Sequence, residues 1–194
     1  MRQVKLTRNR ESTQIIIPKE YCTKYGFRSG LEIFMEARKD GLFLRAPQYN
    51  DVNAQFWTIG YEGIGIDELV VSLKDHGISQ LIDVRKNPIS RKAGFSKIAL
   101  SARLEKEGLI YRHLPDLGSP NNIRNDLRNG GHLDTFFEQY RSYLDSQSQV
   151  FDELRGLVMV RPSALMCFEK DYHECHRKVL ADRLLEFGLK PFHI

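Results

Sequence analysis

An α/β fold with a mostly parallel sheet and flanking helices, preceded by a small strand-rich domain, is predicted by three features of this sequence. From Phe56 onward, short apolar runs alternate with stretches of helical spacing, the order that builds βαβ units. Residues 1–46 instead carry strand patterns and an Asp-Gly hairpin signal. Between them, residues 47–55 (Pro-Gln-Tyr-Asn-Asp-Val-Asn-Ala-Gln) are polar and aperiodic and read as a linker.

Taken in order, Val4-Lys5-Leu6-Thr7 begins one strand and Gln14-Ile15-Ile16-Ile17 forms another. Pro18 stops that strand and suits the first turn of a short helix from Lys19 to Tyr25. Gly26 and Gly30 supply turns. Leu31 to Glu36 and Leu42 to Arg45 follow as strands joined across Lys39-Asp40-Gly41. About 46 residues lie near the lower limit for independent stability, and pairing with a second chain would solve that problem. In residues 56–194, strands are expected at Phe56–Ile59, Gln80–Val84, Leu109–His113, Ala164–Cys167 and Pro191–Ile194. Helices are expected at Ile66–His76, Ser96–Glu107, Leu133–Leu144, Val150–Val158 and Glu174–Phe187.

Composition narrows the class. Hydrophobic content of 41% supports a real core, and no apolar stretch approaches the roughly 20 residues of a membrane-spanning helix. Met1-Arg2-Gln3-Val4-Lys5 lacks the apolar core of a signal peptide, so a cytoplasmic location is expected. Cys22, Cys167 and Cys175 make no disulfide framework, which fits a reducing compartment. Net charge is only +4, yet residues 1–50 hold ten Lys/Arg against five Asp/Glu. The excess begins with Arg2, Lys5, Arg8 and Arg10, a footprint expected for DNA contact; the bland reading is a solvated tip.

Chemistry-bearing residues follow the expected strands. Gly60-Tyr61-Glu62-Gly63 follows the first, Asp83 to Arg91 the second, His113 to Gly118 the third, and Cys167 to Arg177 the fourth. If the strands are parallel, all four loops meet on one rim, the usual ligand side of an open α/β sheet. Arg85, Arg91 and Arg177 are planar donors suited to an anion, and Ser90, His113, Lys170 and His176 join them as polar lining. Cys175-His176-Arg177 opens an expected helix, where backbone N–H groups favour a phosphate. Asp83 and Glu169 are candidates for proton transfer, and Cys175 for a nucleophile activated by the helix terminus, His176 and Arg177. The alternative is a structural network in which Asp83 pairs with an arginine and Glu169 with Lys170 or another cation, and in which the cysteines are merely buried. The C-x7-C-H spacing is not a standard zinc spacing, so the sequence assigns no metal and leaves any cofactor unknown.

Two resemblances add to this. The basic start, Ile15-Ile16-Ile17-Pro18-Lys19-Glu20, the Gly26 region, Gly30-Leu31-Glu32-Ile33 and Gly41-Leu42-Phe43-Leu44 resemble the swapped-hairpin family of AbrB and SpoVT type over residues 1–46. That resemblance implies an interleaved homodimeric β-barrel that binds DNA through Arg2, Lys5, Arg8 and Arg10. The family's glycine-rich hairpin is replaced here by Asn9-Arg10-Glu11-Ser12-Thr13. Residues 56–194 resemble family 488 of the domains of unknown function. The residues that carry this are Thr58-Ile59-Gly60-Tyr61, Leu81-Ile82-Asp83-Val84-Arg85 with Pro88 and Ser90-Arg91, His113-Leu114-Pro115 with Leu117-Gly118, Cys167 with Glu169-Lys170, Cys175-His176-Arg177, and Phe192-His193-Ile194. Tyr61-Glu62 stands where that family usually has His-Ser. The Leu-Ile-Asp-Val-Arg phrase also occurs in rhodanese-like domains, whose glycine-rich cysteine loop is absent here.

The expectation is a homodimer, joined through residues 1–46 and bound to DNA, with no membrane partner. Its α/β domain binds or processes a phosphate-containing ligand, nucleic acid or nucleotide. The alternative is a non-catalytic transcriptional regulator that senses an anionic metabolite.

Overall fold

The computed structural model describes residues 6–9, 12–19, 34–39, 41–45 and 55–194. The chain divides into two compact units, Met1–Gln48 and Tyr49–Ile194.

In the first unit, β1 (Leu6–Asn9) pairs antiparallel with β2 (Ser12–Ile15), and β3 (Phe34–Arg38) with β4 (Gly41–Arg45). Arg38 faces Gly41 in the second hairpin, with Gly41 at φ 149°. Gly41 thus occupies backbone space that side-chain-bearing residues avoid. Lys19 is helical, directly after Pro18. The rest of the expected Lys19–Tyr25 helix, the Gly26 and Gly30 turns, linker residues 47–54 and the side chains of Arg2, Lys5, Arg8 and Arg10 lie outside the described residues. Met35, Ala37 and Leu42 are exposed. Strand alternation and the register set all three on one face of the second hairpin.

The second unit is a five-stranded sheet with six flanking helices. Its strands are β5 (Gln55–Gly60), β6 (Gln80–Asp83), β7 (Ile110–His113), β8 (Ser163–Cys167) and β9 (Lys190–His193). They lie in the order β7-β6-β8-β5-β9, and every pairing is parallel. The helices are α1 (Ile66–Asp75), α2 (Lys97–Lys106), α3 (Asn121–Arg128), α4 (Leu133–Asp145), α5 (Ser148–Val160) and α6 (Arg177–Glu186). All residues of β6 and β8 are buried, as expected for strands covered on both faces.

Alternation along the strands divides the core in two. Leu81, Ala164 and Met166 pack with Leu69 and Leu73 of α1 and Leu100 and Leu104 of α2. Ile82, Leu165 and Cys167 pack on the other face with Tyr140 and Leu144 of α4, Leu154 of α5 and Leu180 and Leu184 of α6. The helix after β6 therefore covers one face and the helix after β8 the other. Their loops diverge, which opens a crevice between two adjacent strand ends, the topological switch point.

Two differences from the sequence reading matter for the site. The stretch after Gly118, where the sequence predicts no element, forms α3. Its residues, Asn-Asn-Ile-Arg-Asn-Asp-Leu-Arg, offer only Ile123 and Leu127 as an apolar i,i+4 pair. The last helix starts later than Glu174: Tyr172–Glu174 is a 3-10 turn, and Arg177 begins α6. That turn brings Cys175 and His176 back over the end of β8.

Candidate functional site

Two glycines let the rim loops pack. A Cβ on Gly60, the last residue of β5, would lie 1.9 Å from the backbone oxygen of Glu169. A Cβ on Gly118 would lie 2.0 Å from the backbone nitrogen of Lys86. Only glycine allows either approach. Gly60 thus seats the Glu169 segment, and Gly118 seats the Arg85-Lys86 segment.

At the end of β6, Asp83 is fully buried and Arg85 nearly so. Arg85 donates Nε to Asp83 Oδ1 at 2.8 Å and Nη2 to Oδ2 at 2.6 Å, a bidentate pair. Its backbone N–H also donates to Oδ1 at 3.1 Å, and the Tyr111 hydroxyl donates to Oδ2 at 2.6 Å. Nη1 of Arg85 donates to the Tyr61 hydroxyl and to the Phe95 carbonyl, each at 3.0 Å. Burial works against the Arg85 charge, but the Asp83 hydrogen bond and charge and the Tyr61 contacts outweigh it and raise its pKa. Burial, with the Asp83 charge and hydrogen bond added, pushes the Tyr111 phenol well up. The Asp83 oxygens are thus committed to an internal network. The paired arrangement weighed as an alternative is the one Asp83 adopts. His113 serves the same network: its Nε2 lies 3.0 Å from the Arg85 carbonyl oxygen.

At the end of β8 the arrangement is different. Cys175 Sγ lies 3.1 Å from Glu169 Oε2 and 3.6 Å from His176 Nδ1, and Arg177 Nε donates to it at 3.3 Å. Cys167 Sγ lies 4.0 Å from the same imidazole nitrogen. The other ring nitrogen of His176, Nε2, is 3.0 Å from the Val84 carbonyl, which fixes it as a donor. Tyr140 packs its ring edge-on against His176, 5.2 Å between centroids. Burial opposes a charged Cys175, yet the Cys167 hydrogen bond, His176 and Arg177 outweigh it and hold this thiol well below its usual range. The hydrogen bond to Cys175 and burial push Cys167 up. His176 is disfavoured as a cation by burial, but the Cys175 charge and hydrogen bond raise its pKa on balance. Burial and the Cys175 charge raise Glu169. Glu169 and Lys170 do not pair: the Lys170 backbone N–H instead donates to Glu62 Oε2 at 3.1 Å.

Between the two clusters, at the β6/β8 crevice, lies a cavity of about 580 Å³. Six cations line it, Arg85, Lys86, Arg91, Lys92, Arg124 and Arg128, against one carboxylate, Glu169. Cys167, His176, Ser90, Ser119, Tyr61 and Phe168 complete much of the wall. Four of its cations have partners: Arg85 pairs with Asp83, Lys86 with Asp116 at 3.0 Å, Lys92 donates to the Tyr61 carbonyl at 3.0 Å, and Arg124 Nη2 donates to Asn121 Oδ1. Among the described residues, the side chains of Arg91 and Arg128 have no hydrogen-bond or ion-pair partner. Ser119 Oγ and Arg124 Nε are buried without a hydrogen-bond partner among the described residues. Unpaired buried polar atoms cost free energy, and a ligand with acceptor and donor atoms would relieve it. A neighbouring cavity of about 480 Å³ shares Ser119, Arg124, Arg128, Glu169 and His176 and adds Cys175.

Not every expected residue converges. Arg85, Ser90, Arg91, Glu169 and His176 share the crevice, and Cys175 stands at its neighbour. Lys170 and Arg177 line a third cavity of about 480 Å³, beside Thr58, Tyr172 and His193. Tyr172 and His193 stack there, 3.4 Å between centroids. The sequence reading missed Lys86, Lys92, Ser119, Arg124 and Arg128. The signal for the last two was the Ile123/Leu127 pair behind Ser119-Pro120, which places both arginines on a short helix.

The fold and crevice define an open, parallel α/β domain with a cation-lined cavity at its switch point. The sequence profile of the family described as Domain of unknown function DUF488 matches residues 65–184, more than half of the chain, and the chain belongs to that family. The match begins after β5 and ends within α6, so Thr58–Tyr61 and Phe192-His193-Ile194 fall outside it. No curated protein and no solved structure matches the chain. Among the described residues, no helix is long and apolar enough to cross a membrane.

Proposed function

We propose that the α/β domain binds a phosphate-containing ligand, a nucleotide or a nucleic-acid strand, in the cavity between the ends of β6 and β8. The observation that carries this reading is the imbalance of its walls, six cations against one carboxylate. Such a field concentrates anions, and arginine forks match phosphate oxygens in geometry. Phe168, 44% exposed and edge-on to Tyr61 at 5.3 Å, gives the same cavity an aromatic surface on which a base can stack. Processing, if the protein turns its ligand over, falls to Glu169, the lone carboxyl of the wall.

The first unit, on this reading, is an AbrB-like swapped-hairpin dimer that carries the protein to DNA through Arg2, Lys5, Arg8 and Arg10. The exposed apolar side chains Ile16, Met35 and Leu42, at 72%, 69% and 65%, support a partner for this unit. A second copy of the chain fits the need of so short a segment for more core.

The test uses the full chain and three probes: inorganic phosphate, a nucleoside triphosphate and a short labelled DNA strand, each titrated at several salt concentrations. Binding that weakens with salt and weakens again in Arg91→Ala/Arg128→Ala is expected. Undiminished binding of phosphate and nucleotide in that variant, or no binding of either, overturns the crevice reading. Sedimentation of the same protein checks the dimer, and a monomer at every concentration removes the swapped-hairpin proposal.

A further inference from the structure

We infer that Cys167, Cys175 and His176 form a binding site for a soft divalent first-row metal ion, zinc by ligand preference, with one coordination position left for Glu169 or water. Their spacing along the chain hides this. The fold supplies it: β8 ends at Cys167, the 3-10 turn doubles the chain back, and Cys175 and His176 arrive just before α6.

Both sulfurs and His176 Nδ1 lie within 4.8 Å of one another, with Sγ to Nδ1 separations of 3.6 and 4.0 Å. Zinc–sulfur bonds of about 2.3 Å and zinc–nitrogen bonds of about 2.0 Å in a tetrahedron place such ligands roughly 3.5–3.8 Å apart. The two sulfur–nitrogen separations differ from this by a few tenths of an ångström, and side-chain rotations that bring the sulfurs together by about 1 Å at most complete the site. The imidazole is already oriented. Its Nε2–H is taken by the Val84 carbonyl at 3.0 Å, so the Nδ1 lone pair faces both sulfurs, the outer-shell contact that metal-ligating histidines use.

Charge supports the same occupant. Arg177 is 1% exposed and donates to Cys175 Sγ, so this pocket already holds one buried cation beside a sulfur. Two thiolates neutralise a divalent ion, and the Glu169 carboxylate offsets Arg177, which leaves the buried set neutral. Two thiolates with one imidazole also select zinc over the hard cations that carboxylates prefer. A disulfide-forming pair would have no use for the imidazole between its sulfurs.

The position matters as much as the ligands. Cys167 and His176 line the cation-rich crevice, Cys175 and His176 line the cavity beside it, and Glu169 lines both. Three protein ligands and an open fourth position are the pattern of metal sites that do chemistry, whereas structural zinc sites are closed by four. The metal would sit in the shared wall, where a bound water faces the cavity. The site does not depend on what the crevice binds.

The experiment takes the full chain, reduced and freed of metal by chelation, and titrates it anaerobically with Co²⁺. Saturation at one equivalent per chain is expected, with intense tetrahedral d–d absorption and a thiolate-to-cobalt charge-transfer band that Zn²⁺ abolishes by displacement. Cys167→Ser and His176→Gln should each weaken zinc binding by at least about tenfold and diminish that band. Cys22→Ser should leave both unchanged. A folded, reduced wild-type protein that shows no charge-transfer band at stoichiometric Co²⁺ overturns the proposal, whatever the variants do. So does a band that survives both substitutions. Arg91→Ala/Arg128→Ala should bind cobalt normally, so loss of the anion and loss of the metal remain distinguishable.

Discussion

The ends of β6 and β8 lie side by side, and each gathers an acid, an arginine and a third polar group, yet they are put to different uses. The β6 cluster is closed. Asp83 accepts from the Arg85 side chain, the Arg85 backbone and Tyr111, and Arg85 spends its other donors on Tyr61 and Phe95. The β8 cluster is open. Its Glu169 has Cys175 as a hydrogen-bond neighbour, its sulfurs face one imidazole nitrogen, and cavities border it on two sides. Residue type alone does not separate a structural cluster from a site. Saturation does: a buried group whose hydrogen bonds are all made inside the protein has nothing left to offer a ligand.

The largest expected effect breaks the closed cluster. Asp83→Asn leaves the buried Arg85 without its countercharge, and breaking such a pair costs about 3–5 kcal/mol. Urea denaturation measures it. Replacing both partners, Asp83→Leu with Arg85→Met, should cost less than the sum of the single changes by more than about 1 kcal/mol, since neither charge is then stranded. Glu169→Gln should change stability by less than about 1 kcal/mol, because among the described residues no ion pair depends on it. Equal losses from Asp83→Asn and Glu169→Gln would erase the distinction between the clusters.

The two glycines give a second, smaller handle, one for each cluster. Gly118→Ala drives a methyl into the Lys86 backbone, and Gly60→Ala drives one into the Glu169 backbone. Each should cost about 1–3 kcal/mol through overpacking. Their functional signatures should differ. Gly60→Ala displaces the open cluster and should change metal and anion binding together. Gly118→Ala should move the Arg85-Lys86 wall and leave the metal titration intact.

Much of this architecture is legible before any coordinates. Leu81-Ile82, Ala164-Leu165-Met166 and Phe56 to Ile59 are apolar runs too short for helices and flanked by turn residues, so the strands of the sheet stand out. Their parallel order makes the four chemistry-bearing loops converge. The helix α3 does not stand out, because burial of one isoleucine decides it against six polar neighbours. Arg124 and Arg128 go unseen with it. Pairing is equally hidden. Asp83 and Arg85 are two residues apart and share a side of the chain, but nothing local says that Tyr61, Phe95 and Tyr111 will arrive to complete their hydrogen bonds. Nor does a seven-residue gap reveal that a single 3-10 turn returns Cys175 to Cys167. Saturation and convergence are tertiary properties, so the sequence marks the rim and the fold sorts its residues.

A third substitution sharpens the comparison at lower amplitude. Tyr111→Phe removes one of four hydrogen bonds to Asp83 while keeping the ring. A loss of about 0.5–1.5 kcal/mol is expected, nearer the upper end because the acceptor is charged. Anion and metal binding should not change, because Tyr111 borders neither the crevice nor the cysteine cluster.

The smallest effect on stability should accompany the largest effect on binding. Arg91 and Arg128 are exposed and, among the described residues, unpartnered, so Arg91→Ala/Arg128→Ala removes no contact that holds the fold. Stability should stay within about 0.5 kcal/mol of the parent. Any change should be a slight rise, since two of the six like charges around the cavity are gone and their mutual repulsion falls. A phosphate-bearing probe loses two donors at once, and its affinity should drop by about tenfold or more, with a shallower dependence on salt as fewer counterions are released. The paired measurement is the decisive one. Unchanged unfolding with weakened binding marks these arginines as ligand groups held ready at the rim. A loss of stability without a loss of binding would place them with Asp83 and Arg85, as part of the framework.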